Sequence, residues 1–288
     1  MGFLVFVTLL WAFSFSLIGE FLAGQVDSDF AVLSRVVLAG VAFLPLTRWR
    51  GVRTELKLGV TLVGALQFGV TYLCLYRAFA YLSVPEVLLF TIFTPLYITL
   101  IDDLFKRRFS AVALMAAAMA TAGAGIIRYD GLSADYLTGF LLLQVANLTF
   151  AAGQVGYKHL ISYYPTAIPL HRFFGYFYAG ALIIALPSFL AFGDSSRLPT
   201  TAVQWGTLVW LGIAASGFGL FLWNRGACLV DAGTLAVMNN ALVPAGLLVN
   251  LLIWNRDADL MRLLLGGAII ALSLWVNARF SRYAVRPA

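Results

Sequence analysis

Apolar residues fill the chain in runs of about twenty, and polar or charged residues gather in short clusters between the runs. A run of this length matches the hydrocarbon core of a bilayer crossed by an α-helix. A transmembrane barrel would instead alternate apolar and polar residues along strands of about ten. The pattern therefore predicts an all-α integral membrane protein.

The runs predict about ten transmembrane helices. The connectors between them are short, as at 25–29 and 193–197, so neighbouring helices are expected to be antiparallel, with no soluble domain. Glu20 interrupts the end of the first span and no basic segment precedes it, so we do not expect a cleaved signal peptide. We place the spans at 3–23, 29–49, 57–80, 83–105, 110–128, 136–160, 168–192, 203–228, 232–254 and 260–280.

Composition and charge agree with this class. Hydrophobic residues make up 61% of the chain and charged residues 11%, with a mean hydropathy of +0.90, whereas a soluble domain has roughly a quarter of its residues charged. The net charge of +6 reflects topology and attraction to anionic lipid rather than nucleic-acid binding. Because cations concentrate on one side, the positive-inside rule predicts both termini in the cytoplasm. These cations include Arg48, Arg50, Arg53, Lys57, Lys106, Arg107, Arg108, Arg279, Arg282 and Arg286.

Residues that support catalysis or metal binding are sparse. Cys74 and Cys228 lie inside predicted helices without metal-ligand spacing, and His159 and His171 belong to no catalytic or zinc pattern. The chain also has no phosphate-binding loop or dinucleotide fingerprint. We therefore expect no enzyme activity, no metal and no cofactor, and a membrane enzyme or assembly factor is the least supported function.

The two halves of the chain resemble each other. In spans four and nine a polar turn precedes an apolar helix with a central proline, Pro95 or Pro244, and Arg35 has a loose counterpart in Arg172. We predict two inverted five-helix repeats, at 1–130 and 131–288, the second ending in a short basic cytoplasmic tail. Each proline frees a backbone carbonyl one turn back, so both are predicted hinges. The alternative is a chance likeness between apolar helices.

Polar residues within the spans indicate where a ligand binds, because each one facing lipid costs free energy. Asn239 and Asn240 differ by about 100° around a helix, so at least one is expected to face a cavity. An amide offers two donors and two acceptor lone pairs, which suits an uncharged polar ligand. Interhelical hydrogen bonding is the alternative for each residue. Asn147, Gln67, Tyr72, Thr91, Thr94 and Tyr97 lie at comparable depth.

Aromatic residues and one arginine complete the candidate site. Trp11, Phe13 and Trp223 are predicted to wall a pocket, with lipid-facing or interfacial anchoring as the alternative. Arg35 is a candidate cation for an anionic ligand, with an ion pair to Glu20 as the alternative. The predicted substrate-binding set is Asn239, Asn240, Asn147, Tyr97, Tyr72, Gln67, Trp223, Trp11, Phe13, Ser14 and Arg35.

These features resemble the EamA branch of the drug/metabolite transporter superfamily, on the tryptophan-led segment 10–16, Arg35 and Pro95. The segments at 94–101, 123–130, 230–235, 238–240 and 244–250 are similar to biotin-importing members of that family, over residues 1 to 280. The resemblance implies biotin as substrate and uptake across the bacterial cytoplasmic membrane without an ATPase subunit. One departure is the end of span four, where Asp102-Asp103 and then Lys106-Arg107-Arg108 replace the usual acidic-basic pair.

A biotin substrate suggests a role for each part of the predicted site. The amides of Asn239, Asn240 and Asn147 complement the ureido ring, with a hydroxyl from Tyr72 or Tyr97. Trp11, Phe13 and Trp223 would cover the thiophane ring, and Arg35 would bind the valerate carboxylate. The alternative function is export of amino acids or related small metabolites, which an amide-rich cavity suits equally well. Accumulation of the biotin anion would need proton coupling or metabolic trapping, and the residues favour neither.

Overall fold

The computed structural model describes residues 1–82, 86–87, 90–128, 136–253 and 260–280, and within these ranges the chain forms helices and turns without a β-strand. The predicted boundary at residues 130 and 131 and the basic tail after residue 280 lie outside the described residues. The main helices are α1 (Gly2–Leu22), α2 (Ser28–Leu46), α3 (Thr54–Ala78), α4 (Thr94–Lys106), α5 (Ala111–Arg128), α6 (Tyr136–Tyr163), α7 (Gly175–Phe192), α8 (Ala202–Cys228), α9 (Ala232–Asn240), α10 (Leu242–Ile253) and α11 (Leu260–Phe280).

Six helices in the described ranges, α1, α2, α3, α6, α7 and α8, are long and apolar enough to cross a bilayer. Shorter apolar stretches lie in α5 and α11. Large apolar side chains cover the outside of the bundle, and Leu104, Leu190 and Leu252 are 76%, 75% and 78% exposed. Such a surface is stable only against lipid. The predicted class, an all-α multi-pass membrane protein, is confirmed.

Polar residues fix several helix starts. Asp27 accepts a hydrogen bond from the Phe30 backbone N–H at 2.8 Å at the start of α2. Asp231 accepts from the Thr234 N–H at 2.9 Å at the start of α9, and Asn277 of α11 donates to the same carboxylate at 2.8 Å. Partial burial raises the pKa of the Asp231 carboxyl, but the bonds from Thr234 and Asn277 outweigh it and leave the pKa below its ordinary value.

Contacts between helix termini define two ends of the bundle. At the end that we call the basic end, the Arg225 guanidinium lies 5.0 Å from the centre of the Phe3 ring, and the Arg48 N–H donates to the Arg172 carbonyl at 2.5 Å. At the opposite end, Arg197 donates to the Gly24 carbonyl at 2.6 Å. These contacts show that α1 and α2, and likewise α7 and α8, run in opposite directions between the two ends, as the short connectors predict.

The half of the bundle toward the basic end is closed by tight packing. Aromatic side chains of α2 and α8 pack there against Phe174, which caps α7, with ring centroids of Phe43 and Phe174 5.7 Å apart and those of Phe174 and Phe221 5.2 Å apart. Helices α3 and α7 approach so closely that a Cβ at Gly64 would collide with the backbone of Phe177. Toward the opposite end, an ion pair of 2.7 Å between Asp29 and Arg77 joins α2 to α3.

The helices depart from the predicted spans in three places. Helix α7 begins at Gly175 rather than at 168, because Pro169 disfavours a helical conformation at the preceding residue. The predicted fourth span contains a 3₁₀ turn at Thr91–Phe93 before α4, and the ninth is divided between α9 and α10 at Ala241. Pro95 and Pro244 lie just after these two breaks, where the missing proline N–H weakens a continuous helix.

Candidate functional site

A cavity that opens to the outside, with about 800 Å³ of space when the open region at its mouth is counted, lies among α1, α2, α3, α6, α8, the turn that leads into α4, and the α9 to α10 junction. Most lining residues come from the middle and second half of α1, the end of α3 and the first half of α6, which places the cavity from mid-bundle toward the opposite end. The lining consists of Thr8, Trp11, Ser14, Phe15, Ile18, Arg35, Thr71, Tyr72, Leu75, Thr91, Thr94, Leu143, Ala146, Asn147, Phe150, Trp223, Asn239 and Leu242.

Aromatic rings form the inner floor of the cavity. The rings of Trp11 and Trp223 lie 4.8 Å apart, and Phe150 meets Trp11 edge-on at 5.9 Å. The Trp11 indole N–H donates to the Ala215 carbonyl at 2.9 Å, which fixes the ring between α1 and α8. The floor therefore presents flat apolar faces to a ligand, with the indole N–H groups already bound.

Gln154 orients two residues of this floor, although sequence reasoning did not single it out. Its carboxamide oxygen accepts from the Trp223 indole N–H at 2.8 Å and from the Asn239 amide at 3.3 Å. Gln154 itself is fully buried in α6. An uncharged polar residue in the middle of an apolar span was the available signal. The three side chains join α6, α8 and α9 below the cavity.

Arg35 is the cation of the cavity wall. Its side chain is 2% exposed; the Nε–H donates to the Ser216 hydroxyl at 3.0 Å, and Nη1 donates to the Tyr76 hydroxyl at 2.7 Å. The guanidinium carbon lies 4.6 Å from the centre of the Tyr72 ring. Among the described residues, the ion pairs of 4.0 Å or less do not include Arg35. Its contacts here are with neutral groups, so a positive charge remains at the cavity.

The cavity brings together seven of the eleven predicted site residues: Trp11, Ser14, Arg35, Tyr72, Asn147, Trp223 and Asn239. Asn147 also donates to the Phe90 carbonyl at 2.7 Å, and Asn239 donates to the Leu235 carbonyl at 2.8 Å. The second N–H of each amide is also engaged, since Asn147 donates to the Gln144 carboxamide oxygen at 3.5 Å and Asn239 to that of Gln154 at 3.3 Å. These bonds fix the direction in which the amide meets the cavity.

The other four predicted site residues lie outside the cavity lining. Asn240 is buried and donates to the Ile92 carbonyl at 3.1 Å. Tyr97 donates to the Gln144 carboxamide oxygen at 3.1 Å, and Phe13 meets the Trp210 ring edge-on at 6.0 Å. Gln67 is fully buried, where its side chain would contact a Cβ placed at Gly153. As ligand-binding residues these four remain predictions without support from the cavity geometry.

Amide side chains support the irregular segment before Pro95. The 3₁₀ turn at Thr91–Phe93 and the proline leave carbonyl groups without helical partners. Asn147 and Asn240 donate to the carbonyls of Phe90 and Ile92, and the Thr94 hydroxyl donates to the Thr91 carbonyl at 2.8 Å. In a bilayer such carbonyls need partners from the protein. Non-helical backbone is therefore held at the cavity wall by α6 and α9.

The chemistry of the cavity is that of a binding site. In the described ranges no three His, Cys, Asp or Glu side chains come together as a metal site. The lining offers amides, hydroxyls, aromatic faces and one guanidinium. A helical membrane bundle around such a cavity, with broken helices at its wall, is the architecture of a membrane transporter.

Comparison with known proteins specifies the family. The EamA-like transporter family matches residues 1–129. A "Probable biotin transporter" of Pseudomonas aeruginosa is 64% identical over 286 residues, covering 99% of this chain and 100% of the relative. The chain belongs to the EamA-like transporter family, and it is a transporter rather than an enzyme.

Relatives with lower sequence identity carry the same kind of name. A "Biotin transporter" of Escherichia coli K12 is 50% identical over 281 residues, covering 97% of this chain and 93% of the relative. Its counterpart in Salmonella typhimurium is 49% identical over the same length. A solved structure titled "Crystal structure of protein" superposes with a TM-score of 0.76 at 20% identity, over 97% of both chains. That likeness supports the fold alone.

Proposed function

We propose that the protein imports biotin across the bacterial cytoplasmic membrane by alternating access, without an ATPase subunit. The names of the bacterial relatives support the substrate. The cavity supports it independently, because biotin combines a carboxylate, an apolar thiophane ring and a ureido group that both donates and accepts hydrogen bonds. In this proposal both termini lie in the cytoplasm, and the opposite end of the bundle faces the periplasm.

The observation that carries the proposal is the charge on Arg35. Burying a cation against neutral groups is costly unless an anion accompanies it for part of the working cycle. The Tyr76 and Ser216 hydroxyls hold the guanidinium from one side at 2.7 and 3.0 Å. A valerate carboxylate entering the cavity would supply the missing anion through charge-assisted hydrogen bonds.

The remaining groups of biotin have matching partners in the cavity. Trp11 and Trp223 would cover the thiophane ring, since flat aromatic faces favour contact with an apolar ring. Asn147 and Asn239 would accept hydrogen bonds from the ureido N–H groups through their amide oxygens, because their own N–H groups are engaged within the protein. Tyr72, with its ring against Arg35, would complete the wall beside the carboxylate.

The proposed mechanism rests on two inverted repeats, residues 1–130 and 131–288, that rock against each other. Two likenesses between the halves support the repeat. Helices α3 and α8 each contain a π-helical segment, at Ala65–Val70 and Trp210–Phe218. The breaks before Pro95 and Pro244 occupy equivalent places, and we propose both prolines as hinges.

Biotin uptake tests the proposal. We would express the chain in a biotin-auxotrophic strain that lacks its own importer and measure accumulation of radiolabelled biotin, with unlabelled biotin and a mixture of amino acids as competitors. We expect saturable uptake that unlabelled biotin abolishes and amino acids leave unchanged. The absence of saturable uptake by a protein that reaches the membrane would refute biotin import, and efflux of preloaded amino acids would favour the alternative of metabolite export.

A further inference from the structure

Three polar side chains of the described bundle are fully buried with unpaired atoms. They are the carboxamide oxygen and nitrogen of Gln67, the hydroxyl of Tyr157 and the carboxamide oxygen of Asn224. A buried polar atom without a partner destabilises the folded state, and the cost is greatest where lipid rather than water surrounds the protein. Proteins retain few such atoms, so a group of three calls for a physical reason.

The three residues lie along one interface. Gln67 of α3 packs on Gly153 of α6, and Tyr157 follows Gly153 by one helical turn toward the basic end. The Tyr157 ring lies 5.7 Å from the Phe174 ring, which in turn contacts Phe221 of α8 at 5.2 Å.

Asn224 faces the same interface from α8. It follows Phe221 by three residues and precedes Cys228 by four, so the three share a helix face. Phe221 on this face packs against Phe174, which also packs against Tyr157 of α6. The unpaired atoms therefore follow the contact between α3, α6 and α8, from mid-bundle toward the basic end.

The row of unpaired groups formed by Gln67, Tyr157 and Asn224 begins beside the cavity and ends where α6 contacts the end of α8. Thr71, one turn from Gln67 on α3, lines the cavity, and Trp223, next to Asn224, forms part of its floor. At the other end of the row, the Lys158 ammonium of α6 donates to the carbonyls of Ala227 and Val230, at the end of α8. The row connects the cavity floor to the basic end through tightly packed aromatic side chains.

We propose that Gln67, Tyr157 and Asn224 line the second half of the substrate path, which is closed in this conformation and hydrated when the bundle opens toward the basic end. The inference rests on the proposed alternating access and adds the residues of the exit route. In the open state water or the ureido group of the substrate pairs the three polar groups. Because the three unpaired groups raise the free energy of the closed state, they lower the barrier to opening. This effect on the barrier would account for their presence in a buried interface.

Cysteine accessibility tests this path. In a background with Cys74→Ala and Cys228→Ala, we would introduce single cysteines by Tyr157→Cys and Asn224→Cys, with Val155→Cys as the matched control. Val155 is also fully buried in α6, but two residues before Tyr157 it points to the other side of the helix. The variants would be treated with a charged, membrane-impermeant thiol reagent added from the basic end, in inside-out vesicles.

We expect modification at 157 and 224 at least about tenfold faster than at 155, because only a transiently hydrated path admits a charged reagent. Equal rates at all three positions would overturn the proposal. Where a cysteine variant does not reach the membrane, Tyr157→Phe replaces it: we expect an equal or higher melting temperature with turnover about tenfold slower. Unchanged turnover would overturn the proposal.

The labelling result is independent of the substrate assignment. If the wild-type chain does not take up biotin but positions 157 and 224 are labelled, the biotin proposal fails and the path stands. If biotin uptake is saturable but neither position reacts faster than 155, the path is wrong and the substrate assignment stands.

Discussion

Replacing Arg35 should abolish recognition of the substrate carboxylate while leaving the rest of the cavity in place. The guanidinium is 2% exposed and is held by the Tyr76 and Ser216 hydroxyls. Arg35→Gln removes the charge and keeps a polar side chain of intermediate length. The carboxamide of the glutamine can form hydrogen bonds with the Tyr76 and Ser216 hydroxyls that Arg35 leaves behind. Because no ion pair with a described carboxylate is broken, we expect the variant to fold.

The magnitude follows from the burial of the charge. Truncating one partner of a buried, hydrogen-bonded charge pair costs about 2–5 kcal/mol of binding free energy. At 1.4 kcal/mol per factor of ten, this is a loss of affinity of roughly 30-fold to several-thousand-fold. Arg35→Lys keeps the charge but loses the planar fork that matches a carboxylate, so its affinity should fall between those of the wild type and Arg35→Gln.

The assay compares biotin with biotin amide, which lacks the charge, as competitors of labelled biotin. The wild type should prefer biotin strongly, and Arg35→Gln should bind the two about equally. Arg77→Gln is the matched control: this arginine is paired with Asp29 outside the cavity lining, so its loss should lower the melting temperature without changing the preference. An Arg35→Gln variant that still prefers biotin by the wild-type ratio would refute the assignment of the carboxylate site.

Three further predictions concern the floor, the packing and a helix cap. Trp223→Phe reduces the aromatic face on which the proposed thiophane ring lies, and should raise the biotin KM in uptake assays about fivefold, equivalent to about 1 kcal/mol. Trp210→Phe, outside the cavity, should leave the KM unchanged, and equal effects would contradict a role for the floor. In Gly64→Ala the new Cβ collides with the Phe177 backbone, so a thermal melt should show a loss of about 1–3 kcal/mol in the free energy of unfolding. Gly206→Ala places its Cβ in open space and should melt like the wild type. Similar melting curves for the two variants would contradict the close contact between α3 and α7. The lowered pKa of Asp231 means that its carboxylate stabilises the fold above its unfolded pKa and loses that effect as pH falls through the folded value, below about pH 4; Asp231→Asn should lack this acid dependence of the melting temperature, and parallel pH profiles would show that the cap contributes nothing.

The membrane class and much of the cavity could be predicted because both follow from local rules. Run length sets the helices, and a polar side chain within a span must face a cavity or a partner. The adjacent pair Asn239 and Asn240 illustrates this: the angle between them predicts different surroundings, and Asn239 lines the cavity while Asn240 bonds to the Ile92 carbonyl. Which of the two faces the ligand depends on the helix rotation, and rotation is set by packing against neighbours that no local pattern specifies.

Backbone geometry explains why amides are ambiguous in such a sequence. The break at Thr91–Phe93 creates carbonyls that need donors, and the chain supplies them from Asn147 and Asn240. Because Pro95 interrupts one span, the carbonyls before it need amide donors from two other spans, α6 and α9. These donors lie at the same depth as amides that would bind a ligand. Asn147 is in both positions, since its amide nitrogen donates to the Phe90 carbonyl and its side chain also lines the cavity. We therefore expect ligand occupancy and the state of the break to be coupled through this side chain, so that movement at Pro95 changes the orientation of the amide that a substrate meets.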